Sequence, residues 1–170
     1  MQHKLKNNKG FTIIEIMIVL AIAGLIMLIV FLAVPALQRS SRNTQRKNDV
    51  GNFSSAISTW TSNNNGAIPG METGTYNSTT CQSDLGINTS NPSPSSVFKS
   101  VKLGYYTQNE IYCTPISAGS TLSESSVDKL DYVPGAVCSG NSAVVGNSRS
   151  YVLLYAVETG GGTQSQCTGS

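Results

Sequence analysis

Between Phe11 and Leu37 the chain places twenty-seven residues and only one ionisable group, Glu15. The rest is mainly Ile, Val, Leu, Ala and Met, with no polar face to turn towards water. A helix that is apolar all round needs an apolar surrounding on every side. At 1.5 Å per residue, Phe11 to Val34 makes about 36 Å of helix, enough to cross a hydrocarbon layer of about 30 Å. A secretory signal has a shorter apolar core and a small-x-small cleavage site. Here the run is longer and no such site precedes Arg39, so an anchor fits better.

The charges divide into blocks around this run. Lys4, Lys6 and Lys9 precede it, and Arg39, Arg42, Arg46 and Lys47 follow, with no acid in either cluster. Beyond Val50 there are four bases and seven acids. A net charge of +2 argues against a nucleic-acid binder built on charge. From Thr61 to Ser170, 58 of 110 residues are Gly, Pro, Ser, Thr or Asn, which argues against an ordinary soluble enzyme core. The remaining classes are a membrane-anchored structural subunit and an anchored binding protein.

Glu15 is the feature a plain anchor does not explain. A carboxylate at the centre of a membrane helix costs about 2.5–3.5 kcal/mol on insertion scales, somewhat less near an end. No base lies between Lys9 and Arg39, so within one intact chain Glu15 is poorly paired. The string Lys9-Gly10-Phe11-Thr12-Ile13-Ile14-Glu15 supplies a solution. Gly10 lacks a Cβ, so a protease can approach its carbonyl closely. Cleavage after Gly10 would place a new amino group on Phe11, four residues from Glu15, where it could neutralise the carboxylate of a neighbouring copy.

This segment resembles the type IV pilin family and its pseudopilin relatives. The match rests on the basic leader Met1–Gly10, the Gly10-Phe11-Thr12 junction, Glu15, and the run Ile16-Met17-Ile18-Val19-Leu20-Ala21-Ile22-Ala23-Gly24. The resemblance implies cleavage after Gly10 by a membrane prepilin peptidase, which also N-methylates Phe11. It implies extraction from lipid by a pilus assembly machinery into a helical filament of identical copies, with Glu15 facing the Phe11 amine of an adjacent subunit. Methylation leaves that amine charged. Family members commonly carry a helix-kinking Pro close behind the Gly corresponding to Gly24, whereas here Pro35 comes eleven residues later. A bend near Ala33–Pro35 is expected, with local stretching between Gly24 and Pro35 in the filament; the plainer alternative is a proline that merely bends the membrane exit.

The expected architecture is α+β: a long N-terminal helix, apolar in its first half, packed by its second half on a small antiparallel sheet. Residues 1–10 form the cleaved leader, 11–37 the membrane or filament-core helix, 38–66 its amphipathic continuation, and 67–170 a loop-rich head. Val50, Phe53, Ile57 and Trp60 recur at helical spacing and should face the head core. Asn63-Asn64-Asn65-Gly66 is a stop signal, with Gly66 the left-handed cap. Strands are expected at Tyr105–Cys113, Lys129–Val137 and Ser150–Glu158, and loops at Asn88–Ser96 and Gly160–Gly162.

Cys81, Cys113, Cys138 and Cys167 all lie beyond the anchor, at spacings that match no compact zinc pattern. An oxidising exterior favours disulfides, and of three connectivities Cys81–Cys113 with Cys138–Cys167 is preferred. No cofactor or metal is expected. The cluster Arg39–Lys47 reads as a solvated face, a contact to lipid headgroups, or a partner for acidic neighbouring heads. Four charges without interleaved aromatics give DNA contact weak support. Asn52, Asn77 and Asn88 begin Asn-x-Ser/Thr triplets, which chance explains in so Ser- and Thr-rich a chain.

Three roles in a cell-surface filament are compatible with this reading: adhesion, twitching motility and DNA uptake. The alternatives are a pseudopilin or minor pilin of a secretion or competence system, and a bitopic surface receptor that stays in lipid.

Overall fold

The structure, a computed structural model, describes residues 10–72, 74–87 and 93–169. The leader residues 1–9, the first part of the expected loop Asn88–Ser96 and the Asn88 triplet lie outside the described residues. The chain divides into two units at Gln38 and Arg39, and helix α1 (Ile13–Asn63) contributes to both.

In the first unit α1 is bare of tertiary cover: the large apolar side chains from Phe11 to Leu37 are exposed. Gly24 and Pro35 both lie inside the helix, which continues through the proline. Pro35 has no N–H to offer the carbonyl one turn back, so one helical bond is missing there.

In the second unit the same helix becomes a core element. Arg46, Asp49, Val50, Phe53, Ala56 and Ile57 are buried, a recurrence of three and four that gathers them on one face. Trp60 is half-buried against the same core. The helix stops where the asparagine run predicts: Gly66 takes φ +79° and donates its N–H to the Thr61 carbonyl at 2.9 Å.

The head contains a short hairpin, β1 (Met71–Glu72) with β2 (Thr75–Tyr76), then helix α2 (Ser78–Leu85). Asn77 caps α2 by accepting from the N–H groups of Thr79 and Thr80, and Gly86 closes it in the left-handed region. The main sheet has the order β3 (Ile111–Cys113), β4 (Leu130–Pro134), β7 (Tyr151–Thr159), β8 (Gly162–Gly169). A second hairpin, β5 (Ala136–Ser139) with β6 (Ser142–Val145), follows β4.

The expected antiparallel sheet is antiparallel only from β4 to β8, because β3 pairs parallel with β4. Sixteen residues, 114–129, separate the two strands. That length permits the crossover a parallel pair requires, where a hairpin would need only a short turn. The expected strand Tyr105–Cys113 shrinks to its last three residues, and Lys129–Val137 is broken at Gly135, whose φ is +73°. The expected flexible glycines at 160–162 are the turn and start of a hairpin, since Thr159 pairs with Gly162 and β8 continues to Gly169.

β7 explains its own apolar sequence. Tyr151, Leu153, Tyr155 and Val157 pack into the core that includes Val50, Phe53 and Ile57 of α1. Val152 and Leu154 face a second cluster with Val133, Ala136 and Ala143. A strand covered on both faces loses the alternation of a half-exposed one. Two disulfides, Cys81–Cys113 and Cys138–Cys167, join α2 to β3 and β5 to β8, in the preferred connectivity.

One buried acid locks the helix to the loop before β3. Asp49, 4 % exposed, accepts from the backbone N–H groups of Gly104, Tyr105 and Tyr106 at 2.6 to 3.0 Å. Removing the carboxylate strands these donors, and each buried unsatisfied group costs about 1–3 kcal/mol. Asp49→Ala is therefore expected to lower unfolding free energy by roughly 3 kcal/mol or more, read as a shifted urea midpoint, with Asp49→Asn intermediate.

Candidate functional site

The candidate site is the junction at the start of α1. Gly10 is exposed, and nothing lies within 4 Å of where a Cβ would stand. Phe11 is 85 % exposed. Together they leave this junction open among the described residues.

Thr12 and Glu15 then make a capping box. The Thr12 backbone N–H and its hydroxyl both donate to Glu15 Oε2 at 2.8 Å, while the Glu15 N–H donates to Thr12 Oγ1 at 3.4 Å. The helix begins at Ile13, so Thr12 is the residue before the first turn and Glu15 the third residue within it. This is the reciprocal arrangement that satisfies otherwise unpaired N–H groups at a helix start. The expectation that Glu15 is poorly paired concerned a base, and the hydrogen bonds that reach it come from the neutral Thr12. Among the described residues no cation forms an ion pair with it. The spacing Thr-x-x-Glu ahead of an apolar run was legible in the sequence as a capping signal.

Gly24 and Pro35, the residues at which a bend near Ala33–Pro35 and stretching in a filament are expected, both stand inside the continuous helix α1. The four cysteines pair within the second unit.

The basic cluster after the apolar run divides its roles. Arg42 and Arg46 both pair with Glu158 at the end of β7, at 2.5 and 2.8 Å. Arg46 is 1 % exposed and also donates to the Val127 carbonyl, Asn43 Oδ1 and the Tyr105 hydroxyl, with its guanidinium 4.2 Å from the Tyr105 ring centroid. Asn43 adds two bonds to the Glu158 backbone. The acidic partner of these arginines is thus on the chain's own head. Arg39 and Lys47 remain for solvent, lipid or neighbouring subunits.

The open depression between the β1–β2 hairpin and the turns after β4 and β6 has Tyr76, Ile116, Pro134, Asn147 and Ser148 among its described lining residues, which include no carboxylate, imidazole or thiol. Among the described residues no group of three His, Cys, Asp or Glu gathers to hold a metal.

Residues 5–31 match the family model of the prokaryotic N-terminal methylation motif. The chain carries the type IV pilin signature. Neither the curated proteins nor the solved structures yield a match. The signature supports a pilin-like or pseudopilin-like protein, processing by a prepilin peptidase and pilus assembly in general. It points to a structural subunit and not to an enzyme. With the apolar helix it fits a membrane-anchored precursor. The matched stretch ends before Pro35, and the head lies outside it.

The two guanidinium partners hold the Glu158 carboxyl down at about 2, hydrogen bonding from Arg42 being the largest cause. A carboxyl depressed in the fold gives stability that is full above its unfolded value, near 4.3, and is lost as pH falls towards 2. The urea midpoint of the wild type should therefore fall more between pH 5 and pH 2.5 than that of Glu158→Gln; parallel acid limbs would remove Glu158 from this role.

Proposed function

We propose that this chain is a type IV pilin, a structural subunit that polymerises into a cell-surface filament after cleavage behind Gly10 and methylation of Phe11. One observation carries the reading: a carboxylate held by the Thr12–Glu15 box at the tip of a helix whose next twenty-two residues offer no charge, with their large apolar side chains exposed among the described residues. Lipid can cover the apolar surface before assembly and sister helices can cover it afterwards. The hydrogen bonds from Thr12 meet the local needs of the helix end, yet they leave one net negative charge in an apolar setting. The Phe11 amine of an adjacent subunit is the counterion this charge requires. Subunit register is then set by charge, and lateral cohesion by apolar packing.

In the filament, the separated Gly24 and Pro35 bracket the stretch where the helix is weakest, since glycine is a poor helix former and proline removes a bond. Adhesion, twitching and DNA uptake are the roles such a fibre serves. The pseudopilin alternative shares the same N-terminal chemistry and differs in the machinery that drives assembly. The anchored-receptor alternative predicts no processing, so the mature N-terminus separates it: a methylated Phe11 by mass spectrometry is expected, and an intact Met1 overturns the filament reading.

Two substitutions separate the charge from the cap. Glu15→Gln keeps a side chain able to complete the capping box, while Glu15→Ala loses both functions. Both variants are expected to insert and be cleaved, yet to yield at least tenfold fewer filaments in sheared surface fractions viewed by electron microscopy. Normal filaments from Glu15→Gln would reduce Glu15 to a helix cap.

A further inference from the structure

Strand β8 is held to its head by hydrogen bonds and one disulfide, with little apolar burial. Its sequence, Gly-Thr-Gln-Ser-Gln-Cys-Thr-Gly, supplies no residue to the buried core, and only Cys167 packs partly on the second apolar cluster. Eight register pairs with β7 run from Val152–Gly169 to Thr159–Gly162. Side chains add ties to loops of the same head. Ser165 Oγ accepts from the Glu124 N–H and donates to the Asn141 carbonyl, and Thr163 Oγ1 donates to the Ser125 carbonyl. Each such bond makes a modest net contribution, because water offers the same groups an alternative.

The strand beside it has the opposite character. Without β8, the edge of β7 would present unpaired N–H and C=O groups next to the buried Val152, Leu154 and Ala156. That open edge calls for another strand, and its shape restricts which one. A Cβ on Gly169 would lie 2.5 Å from the Tyr151 carbonyl oxygen and from Val152 Cγ1, so the occupant must bring a glycine opposite Val152. It must also bring a cysteine opposite Leu154, where Cys138 bonds to it, and hydroxyls for the partners of Ser165 and Thr163. The β8 of a second copy meets all of these conditions by identity.

The connection permits the transfer. Only Gly160 and Gly161 lie between the paired Thr159 and Gly162, and both are exposed with nothing within 4 Å of where a Cβ would stand. Straightening this turn carries β8 away from its own β7, and two copies that exchange strands close a symmetric pair. The Cys138–Cys167 bond opposes this by closing β8 onto β5 of the same head. Cys138 is exposed and Cys167 half-buried, whereas Cys81 of the other bridge has no exposure. A thiolate therefore reaches the Cys138–Cys167 bridge more readily.

We propose that β8 is an exchangeable strand whose partner is the β7 edge of a second copy of this chain, and that the Cys138–Cys167 disulfide seals it on whichever head it occupies. Opening is thiol–disulfide exchange with a dithiol. One thiolate attacks Cys138 Sγ, the S–S bond breaks, and its electron pair leaves on Cys167 Sγ, which takes up a proton. The second thiol of the reagent loses its proton and displaces Cys138 Sγ, leaving two cysteine thiols and an oxidised cyclic dithiol. Reclosure by an added disulfide reverses the same two-electron change. A strand tethered to its own head competes at an effective concentration of about millimolar, so exchange requires copies crowded to a similar degree. The inference concerns the head alone and does not rest on the filament reading.

Isotope mixing on the full chain tests this. Equal amounts of heavy-nitrogen-labelled and unlabelled protein, with several chains to a detergent micelle, receive a pulse of dithiothreitol and then oxidised glutathione, and are digested without reduction for mass spectrometry. The Cys138–Cys167 peptide pair is expected to approach equal shares of mixed-label and single-label masses, while the Cys81–Cys113 pair keeps a single label. A second mixture combines the Cys138→Ser chain with the Cys167→Ser chain, in which an exchanged strand brings the two remaining sulfurs together. On reoxidation it should give more covalent heterodimer than the two homodimers together. A Cys138–Cys167 pair that keeps a single label, label mixing to the same extent in Cys81–Cys113, or no excess of heterodimer would each overturn strand exchange.

Discussion

Helix α1 asks to be buried twice, and its own chain buries it only once. Its second half finds a complete partner in the head, where Val50, Phe53 and Ile57 are fully enclosed. Its first half has the composition of a core, yet its large apolar side chains stand exposed among the described residues. The apolar area involved is far beyond the few hundred Å² that monomers leave exposed, so an external apolar medium is a condition of the molecule's existence. The rest of the sequence is compatible with that condition: the basic flanks, the glycine at the start of the run, and a head that carries its own covalent staples.

Within that apolar half, hydrogen bonding and charge are separate problems with separate solutions. The Thr12–Glu15 box solves the first locally, supplying an acceptor to N–H groups that a helix start always leaves open. It does nothing for the second, because Thr12 is neutral. A glutamine would cap nearly as well at far lower desolvation cost. The presence of an acid at this position is therefore explained by its charge, and a charge needs a counterion that the described residues of the isolated chain do not supply.

The long-period features were legible in the sequence: the apolar run, the stripe on the second half of α1, its asparagine-glycine stop, the apolar strand β7 and the cysteine pairing. Each is a pattern of side chains that either repeats or is chemically distinctive. The features that escaped are held by groups whose sequence neighbourhood says little. β8 reads Gly-Thr-Gln-Ser-Gln-Cys-Thr-Gly, with no apolar alternation, and becomes a strand because β7 lies beside it. Helix α2 carries cap residues and little apolar surface. Arg46 looks like one more base in a basic flank until Glu158, 112 residues later, is brought to it. The parallel docking of β3 is equally non-local. The Thr12-x-x-Glu15 capping box is equally legible, since its spacing is short and its residue types are specific.

The two disulfides acquire a common purpose from the sheet order. β3 and β8 are the two outer strands of the four-stranded sheet, and each is tied to an element outside it: β3 to α2, β8 to the β5–β6 hairpin. Outer strands present unpaired backbone groups that invite another chain to add on. Here one is three residues long and the other is polar, and both are covalently held against their own head. In the filament proposed for this chain, edge-to-edge pairing of heads would compete with helix packing, and restrained sheet edges would leave the apolar helix as the surface for association. Residues 124–127 add a further tie on β8: the Glu124 N–H donates to Ser165 Oγ, Thr163 Oγ1 donates to the Ser125 carbonyl, and Arg46 of α1 donates to the Val127 carbonyl.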